Sequence, residues 1–234
     1  MNFSSLRSYL VCLCGTFAAA GSLQAATIYD NSVNDLGTRF NPGTSEVGDQ
    51  IVLAGTERYL TNFSFEFWGT NMAGGSLYAG NVEARVRFYK NDGALFNGYA
   101  SPGQLFYDSQ WFSVGLPTSR STMVFEVGQD FANGGLFLPV ASDMTWTIQF
   151  QGMGATDQTG LDIYSPVTTG QNYPDYWQLV GGTWELMTNS VATDFAARFE
   201  ASLTQVPEPS AAALGLMALT ACALTGRRLF KRGK

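Results

Sequence analysis

The sequence predicts an all-β protein: a single antiparallel β-sandwich of jelly-roll type, flanked by an N-terminal signal peptide and one short C-terminal transmembrane helix. Three observations carry the prediction. Apolar and polar residues alternate with period two in successive runs, the pattern of strands with one wet and one dry face, which parallel sheets lose because both their faces are buried. Turn signals fall between the runs, at Asn41-Pro42-Gly43, Asn91-Asp92-Gly93, Ser101-Pro102-Gly103, Asn133-Gly134-Gly135 and Gly181-Gly182. Charged and aromatic residues are each 14% of the 234, with 26 Gly and 10 Tyr, a mix that suits extended, turn-rich chains better than helical bundles.

Residues 1–25 read as the signal peptide. Arg7 is followed by an apolar run from Tyr9 to Ala20 and then by Gly21-Ser22-Leu23-Gln24-Ala25-Ala26, the order of charged, apolar and small-residue cleavage regions. Cleavage is expected after Ala25, with Ala26 the next choice. Cys12 follows Val11 and Cys14 follows Leu13, so neither has the small preceding residue of a lipoprotein site.

Residues 26–205 read as one extracytoplasmic domain. The clearest strands are Asn62 to Trp68, with Phe63, Phe65 and Phe67 on one face; Val82 to Lys90, with Val82, Ala84, Val86 and Phe88 inward; Met144 to Phe150; and Phe195 to Leu203. Further runs stand at Thr27 to Asp30, Gln50 to Ala54, Leu105 to Val114, Thr122 to Val127, Gly135 to Val140, Gly160 to Tyr164 and Tyr176 to Leu186. Ten or eleven strands at such spacing, without an amphipathic helix, point to two sheets packed face to face. A body of about 180 residues buries enough surface to need neither metal nor disulfide.

Residues 206–234 have three parts. Val206-Pro207-Glu208-Pro209 is an extended linker, residues 211–225 are an apolar helix, and residues 226–234 form a tail carrying Arg227, Arg228, Lys231, Arg232 and Lys234. A helix of that length reaches about 22 Å at ~1.5 Å per residue, short of a hydrocarbon core of about 30 Å. Snorkelling cations and local thinning close the gap, and the cationic tail places itself in the cytoplasm and the body outside.

These three parts in this order resemble the PEP-CTERM sorting signal of Gram-negative bacteria. The resemblance implies recognition by a membrane-embedded processing enzyme of exosortase type. It implies an inner-membrane anchored precursor, then release to the cell envelope or to an extracellular matrix rich in exopolysaccharide, as in biofilms. More loosely, the stretch from Phe137 to Phe150 and the closing Phe195-Ala196-Ala197-Arg198-Phe199-Glu200 resemble the globular domains found ahead of that signal.

Composition removes whole chemistries from the body. It contains no histidine, and Cys12, Cys14 and Cys222 all lie in the end segments, so Ser-His-Asp or Cys-His catalysis, His or Cys zinc sites and disulfides are excluded there. Seven Lys and Arg against eighteen Asp and Glu give the body a net charge of −11, which argues against nucleic acid as a partner. No catalytic residue, metal ligand or cofactor is assigned. Calcium is the one ion with a case, because Asp30, Asn31, Asn34, Asp35 and Asp49 could bridge to an acidic polysaccharide, although no Asp-x-Asp-x-Asp-Gly loop is present.

Two functional alternatives stand beside a structural or adhesive role in the exopolysaccharide layer. Tyr173, Tyr176, Trp177 and Trp184, beside Asn172, Asp175 and Gln178, are the flat faces and hydrogen-bonding groups on which sugar rings stack, unless they are core. A carboxylate-dependent glycoside hydrolase needs an acid of raised pKa facing a cleft. The acids here read as outward strand positions (Glu66, Glu83, Glu126, Glu200) or turns (Asp92, Asp108, Asp130), none on an apolar face.

Overall fold

The computed structural model describes residues 25–139, 143–188 and 193–206. The expected signal peptide up to Gln24, the motif residues Pro207, Glu208 and Pro209, the expected helix 211–225 and the basic tail lie outside the described residues. Among the described residues no helix is long and apolar enough to cross a membrane.

In chain order the strands are β1 (Ala26–Asp30), β2 (Asp35–Phe40), β3 (Val47–Val52), β4 (Tyr59–Asn71), β5 (Glu83–Tyr89) and β6 (Leu95–Phe96). There follow β7 (Tyr99–Ala100), β8 (Leu105–Asp108), β9 (Phe112–Ser113), β10 (Thr118–Glu126), β11 (Leu136–Phe137) and β12 (Asp143–Gln151). The chain continues through β13 (Asp157–Tyr164), β14 (Gln171–Asn172), β15 (Asp175–Val180), β16 (Thr183–Thr188) and β17 (Ala197–Ser202).

All named pairings between strands are antiparallel, in two large sheets and the small hairpin β6-β7. In the first sheet β2, β13, β4 and β10 are successive neighbours. The long strand β4 pairs with β13 through its C-terminal half and with β17 through its N-terminal half, so these two share one edge end to end, and β17 brings in β1. The second sheet runs β16-β15-β3-β12-β5-β8.

Alternation in β4 explains how the sheets meet. Phe63, Phe65 and Phe67 are buried, and the Phe63 ring lies 5.1 Å from Phe88 and 5.5 Å from Trp146 of the other sheet and 4.7 Å from Phe199 of its own. Val82, Ala84, Val86 and Phe88 face the same interior, as do Trp146, Ile148 and Phe150. Aromatic side chains of this size dominate the burial energy of a two-layer core.

Several expectations need correction. The single run expected from Tyr176 to Leu186 is two strands, β15 and β16, that turn at Gly181 and Gly182 as the turn signal there predicts, with φ of +57° and +88°, values open to glycine and suited to a two-residue hairpin turn. Leu105 to Val114 divides into β8 and β9. Leu203 lies past β17 and is 62% exposed rather than on the dry face. β2 carries no alternation, since Asp35 to Arg39 are all exposed, and it is held as a strand by its partner β13. β12 has no wet face in its middle: Thr145 and Thr147 are fully buried on its outward side, under Glu46, Arg87 and Asn91.

Candidate functional site

The four aromatics expected to form a sugar platform are divided by the fold. Tyr176 is buried between the rings of Phe40 (5.0 Å) and Phe195 (5.8 Å), in the core. Trp177 points to the other side of β15 yet is fully buried, because the hairpin β6-β7 lays Phe96 beside it at 6.4 Å and its Nε1 donates to Gln50 Oε1 at 3.4 Å. Neither presents a face to a ligand, which corrects that part of the expectation. Tyr173 remains exposed, and Trp184 is half-buried against Tyr89 at 5.6 Å, lining a shallow depression of about 240 Å³ with Phe96 and Pro102.

A better-formed site lies on the outward face of the first sheet. β4 places Glu66 and Trp68 there, β13 places Asp162 and Tyr164, and β2 and β10 add Arg39, Asp35 and Arg120. Register makes this inevitable: Asp162 lies opposite Arg39 and Leu161 opposite Phe67, so the residues flanking each buried one face out together. Asp35, Arg39, Arg120 and Asp162 line an open cleft of about 600 Å³.

Its hydrogen bonds and charges are dense. Arg120 meets Asp35 at 3.0 Å and donates to the Tyr164 hydroxyl at 3.1 Å; that hydroxyl donates to Glu66 at 2.8 Å. The Arg39 guanidinium lies 5.3 Å from the Trp68 ring centroid, donates to the Ser119 carbonyl and pairs with Asp162 Oδ1 at 3.7 Å. Asp162 Oδ2 has no hydrogen-bond partner. Burial, partly offset by Arg39 and reinforced by Asp35 and Glu66, pushes the Asp162 carboxyl up to about 6. Burial and the bond to Glu66 push the Tyr164 phenol up as well.

This titration has a measurable consequence. The folded chain holds the Asp162 proton more tightly than the unfolded chain, so its contribution falls as pH rises from about 4 to about 6 and is flat above that. Comparing urea unfolding at pH 7 and pH 4.5, wild type is expected to gain stability on acidification relative to Asp162→Asn. An equal response of the two proteins would remove Asp162 as the titrating group.

The loop oxygens expected to bind calcium are scattered. Asp30 accepts from Ser32, Asn34 donates to the Pro166 carbonyl, and Asp35 belongs to the cleft. Asp30, Asn31 and Asp49 are buried, Asn31 with its Nδ2 donating to the Tyr164 and Phe195 carbonyls, and Asp49 is no loop residue: it occupies an inward position of β3, opposite Trp146, and is 1% exposed. This corrects the expectation that no acid lies on an apolar face: Glu46-Val47-Gly48-Asp49-Gln50-Ile51 has no clear period of its own, and β12 sets its register.

On the outer side of the second sheet Glu46, also buried, accepts from Arg87, from the Tyr89 hydroxyl at 3.1 Å and from Thr147 at 2.6 Å. Arg87 also lies 3.6 Å from Asp108, whose carboxyl is held below its usual range chiefly by its bond to Arg85.

No protein-family model matches the chain, and no curated protein and no solved structure matches it.

Proposed function

We propose that the chain is an exported cell-surface or matrix protein, passed through an exosortase-type system and serving a structural or adhesive role in an exopolysaccharide or biofilm layer. The observation that carries this reading is the order Val206-Pro207-Glu208-Pro209, apolar 211–225 and basic 226–234 at the end of a chain that opens with a charged, then apolar, then small-residue segment. An acidic body without histidine or cysteine suits a protein whose task is to persist outside the cell rather than to turn over a substrate. The test is fractionation of a Gram-negative host that carries such a sorting system. Glu208→Ala and Pro207→Ala are expected to leave the full-length precursor in the inner membrane while wild type reaches the envelope or medium in shortened form. Identical processing of wild type and both variants would sink the proposal.

We further read the body as a jelly roll. Support comes from the neighbour orders β2-β13-β4-β10 and β3-β12-β5-β8, between which the chain crosses repeatedly.

A second reading, carbohydrate binding, is favoured by the cleft at Asp162. Paired Arg and carboxylate groups open to solvent match the vicinal hydroxyls of a sugar, while the buried Trp68 ring beneath Arg39 holds that guanidinium in place. Binding of the full chain to the host's own polysaccharide is expected to be lost in Arg39→Ala and kept in Tyr173→Ala. Release of reducing ends that stops in Asp162→Asn would instead make the cleft hydrolytic.

A further inference from the structure

Strand β10 is an edge of the first sheet. It pairs with β4 on one side, from Ser121 opposite Phe67 to Glu126 opposite Asn62, and among the described residues no strand pairs with its other side. Register shows which backbone groups that open side carries. Val127 N–H donates to the Thr61 carbonyl of β4 at 3.1 Å, whereas Glu66, opposite Thr122, sends its N–H the other way, to the Ala196 carbonyl at 3.2 Å. Ser121, Met123 and Phe125 therefore bond to β4, and Thr122 and Val124 turn their N–H and C=O groups away from it. The turn that follows closes the edge at Glu126, whose N–H donates to Asp130 Oδ2 and whose carbonyl accepts from the Asp130 N–H, both at 2.9 Å.

Exposed sheet edges normally carry a guard against pairing with another chain: a charge, a proline, a bulge, a short length or a covering segment. The other edges here have one. β2 carries Asp35, Arg39 and Gly37 at φ +65°; the Ile28 carbonyl and Asp30 N–H of β1 are taken by Ala54 and Thr169; and the β6-β7 hairpin lies against β16. β8, β9 and β11 are four residues long or fewer. β10 runs for nine residues, and its one irregularity lies before Ser121. Ser121-Thr122-Met123-Val124-Phe125 has no charge, proline or glycine, is rich in strand-forming residues, and leaves Thr122 and Val124 exposed.

This edge is complementary to itself. Because Thr122 and Val124 carry the open groups, an incoming strand bonds to both only where its own open residues meet them. Two copies of β10, antiparallel about a two-fold axis at Met123, do so: Thr122 of each meets Val124 of the other, and the pair exchanges both N–H···O=C bonds. Residues opposite one another share a face of the sheet. On the outward face Thr122 packs on Val124, and Arg120 comes opposite Glu126, so unlike charges flank the pairing at both ends. On the inward face Met123 of the second copy projects toward a depression of about 290 Å³ between β10 and the edge of the second sheet, lined by Tyr107, Phe112, Met123 and Phe125.

We propose that β10 is a docking edge for a second copy of this chain, and that two copies join through it into one continuous antiparallel sheet. The pairing uses the open groups of both copies, so it closes at two and does not run on as a fibre. In the joined sheet the two clefts at Arg39 and Asp162 open on the same face. The inference depends neither on what those clefts bind nor on the sorting signal.

The test is mild oxidation of the full-length Met123→Cys chain in detergent, with linked peptides read by mass spectrometry. Only bonds between two introduced thiols count, since Cys12, Cys14 and Cys222 also oxidise. On the two-fold axis Met123 faces its own copy in a non-hydrogen-bonded pair, with Cα atoms about 4.5 Å apart and within disulfide reach. Met123→Cys is expected to link to itself at least about tenfold faster than Tyr173→Cys, an exposed position outside β10. Val124→Pro keeps every bond to β4, because the N–H it removes points away from that strand. Added to Met123→Cys, it is expected to bring linking down to the Tyr173→Cys rate, and alone to return the sedimenting mass to that of one chain. Val124→Lys serves if the proline variant does not fold, which its Tm shows. Equal linking rates for Met123→Cys and Tyr173→Cys would overturn the proposal, as would a dimer mass that folded Val124→Pro leaves unchanged, which would place assembly on another face or on the apolar end segments.

Discussion

Trp177→Ala is expected to lower the free energy of unfolding by about 3–5 kcal/mol, the range for truncating a buried tryptophan. The side chain is fully buried between β15 and the β6-β7 hairpin, and its removal takes the ring away from Phe96 and the indole donor away from Gln50. Urea unfolding with the denaturant slope held constant measures it. A loss under about 1 kcal/mol would mean that the hairpin does not cover this ring and that Trp177 is free to meet a sugar. Loss of polysaccharide binding in this variant therefore reports on folding unless stability is measured beside it.

Arg87→Ala is expected to cost about 3–5 kcal/mol, because it strands the buried Glu46 carboxylate without its cation. The Tyr89 and Thr147 hydroxyls remain as donors, but neither carries charge. The double variant Glu46→Gln with Arg87→Met is expected to recover most of the loss, since it removes both ions and keeps the volume. If the double variant is as unstable as Arg87→Ala, the arginine acts through packing on β5 and its contact with Asp108, and the ion pair is not what matters.

Legibility followed the local rules. The strands that alternate, β4, β5, β12 and β17, stand within a few residues of their expected limits, since each carries its own inward stripe. β2, β6, β7 and β14 carry no stripe and exist through their partners. Asp162 and Asp49 show the same divide. Gly160-Leu161-Asp162-Ile163-Tyr164 reads as a strand with a polar outward residue, yet nothing in it says that Arg39, Glu66 and Arg120 stand around that residue.

By itself the sequence determined that the body is all-β, that it contains no histidine or cysteine, and that it is flanked by two apolar end segments of different design. Composition and period-two patterning are properties of neighbours along the chain. Tertiary structure alone decided which aromatics are core, which acids are buried and which charges share a cleft. Those outcomes depend on register between strands far apart in sequence, where a shift of one residue exchanges the buried and exposed faces.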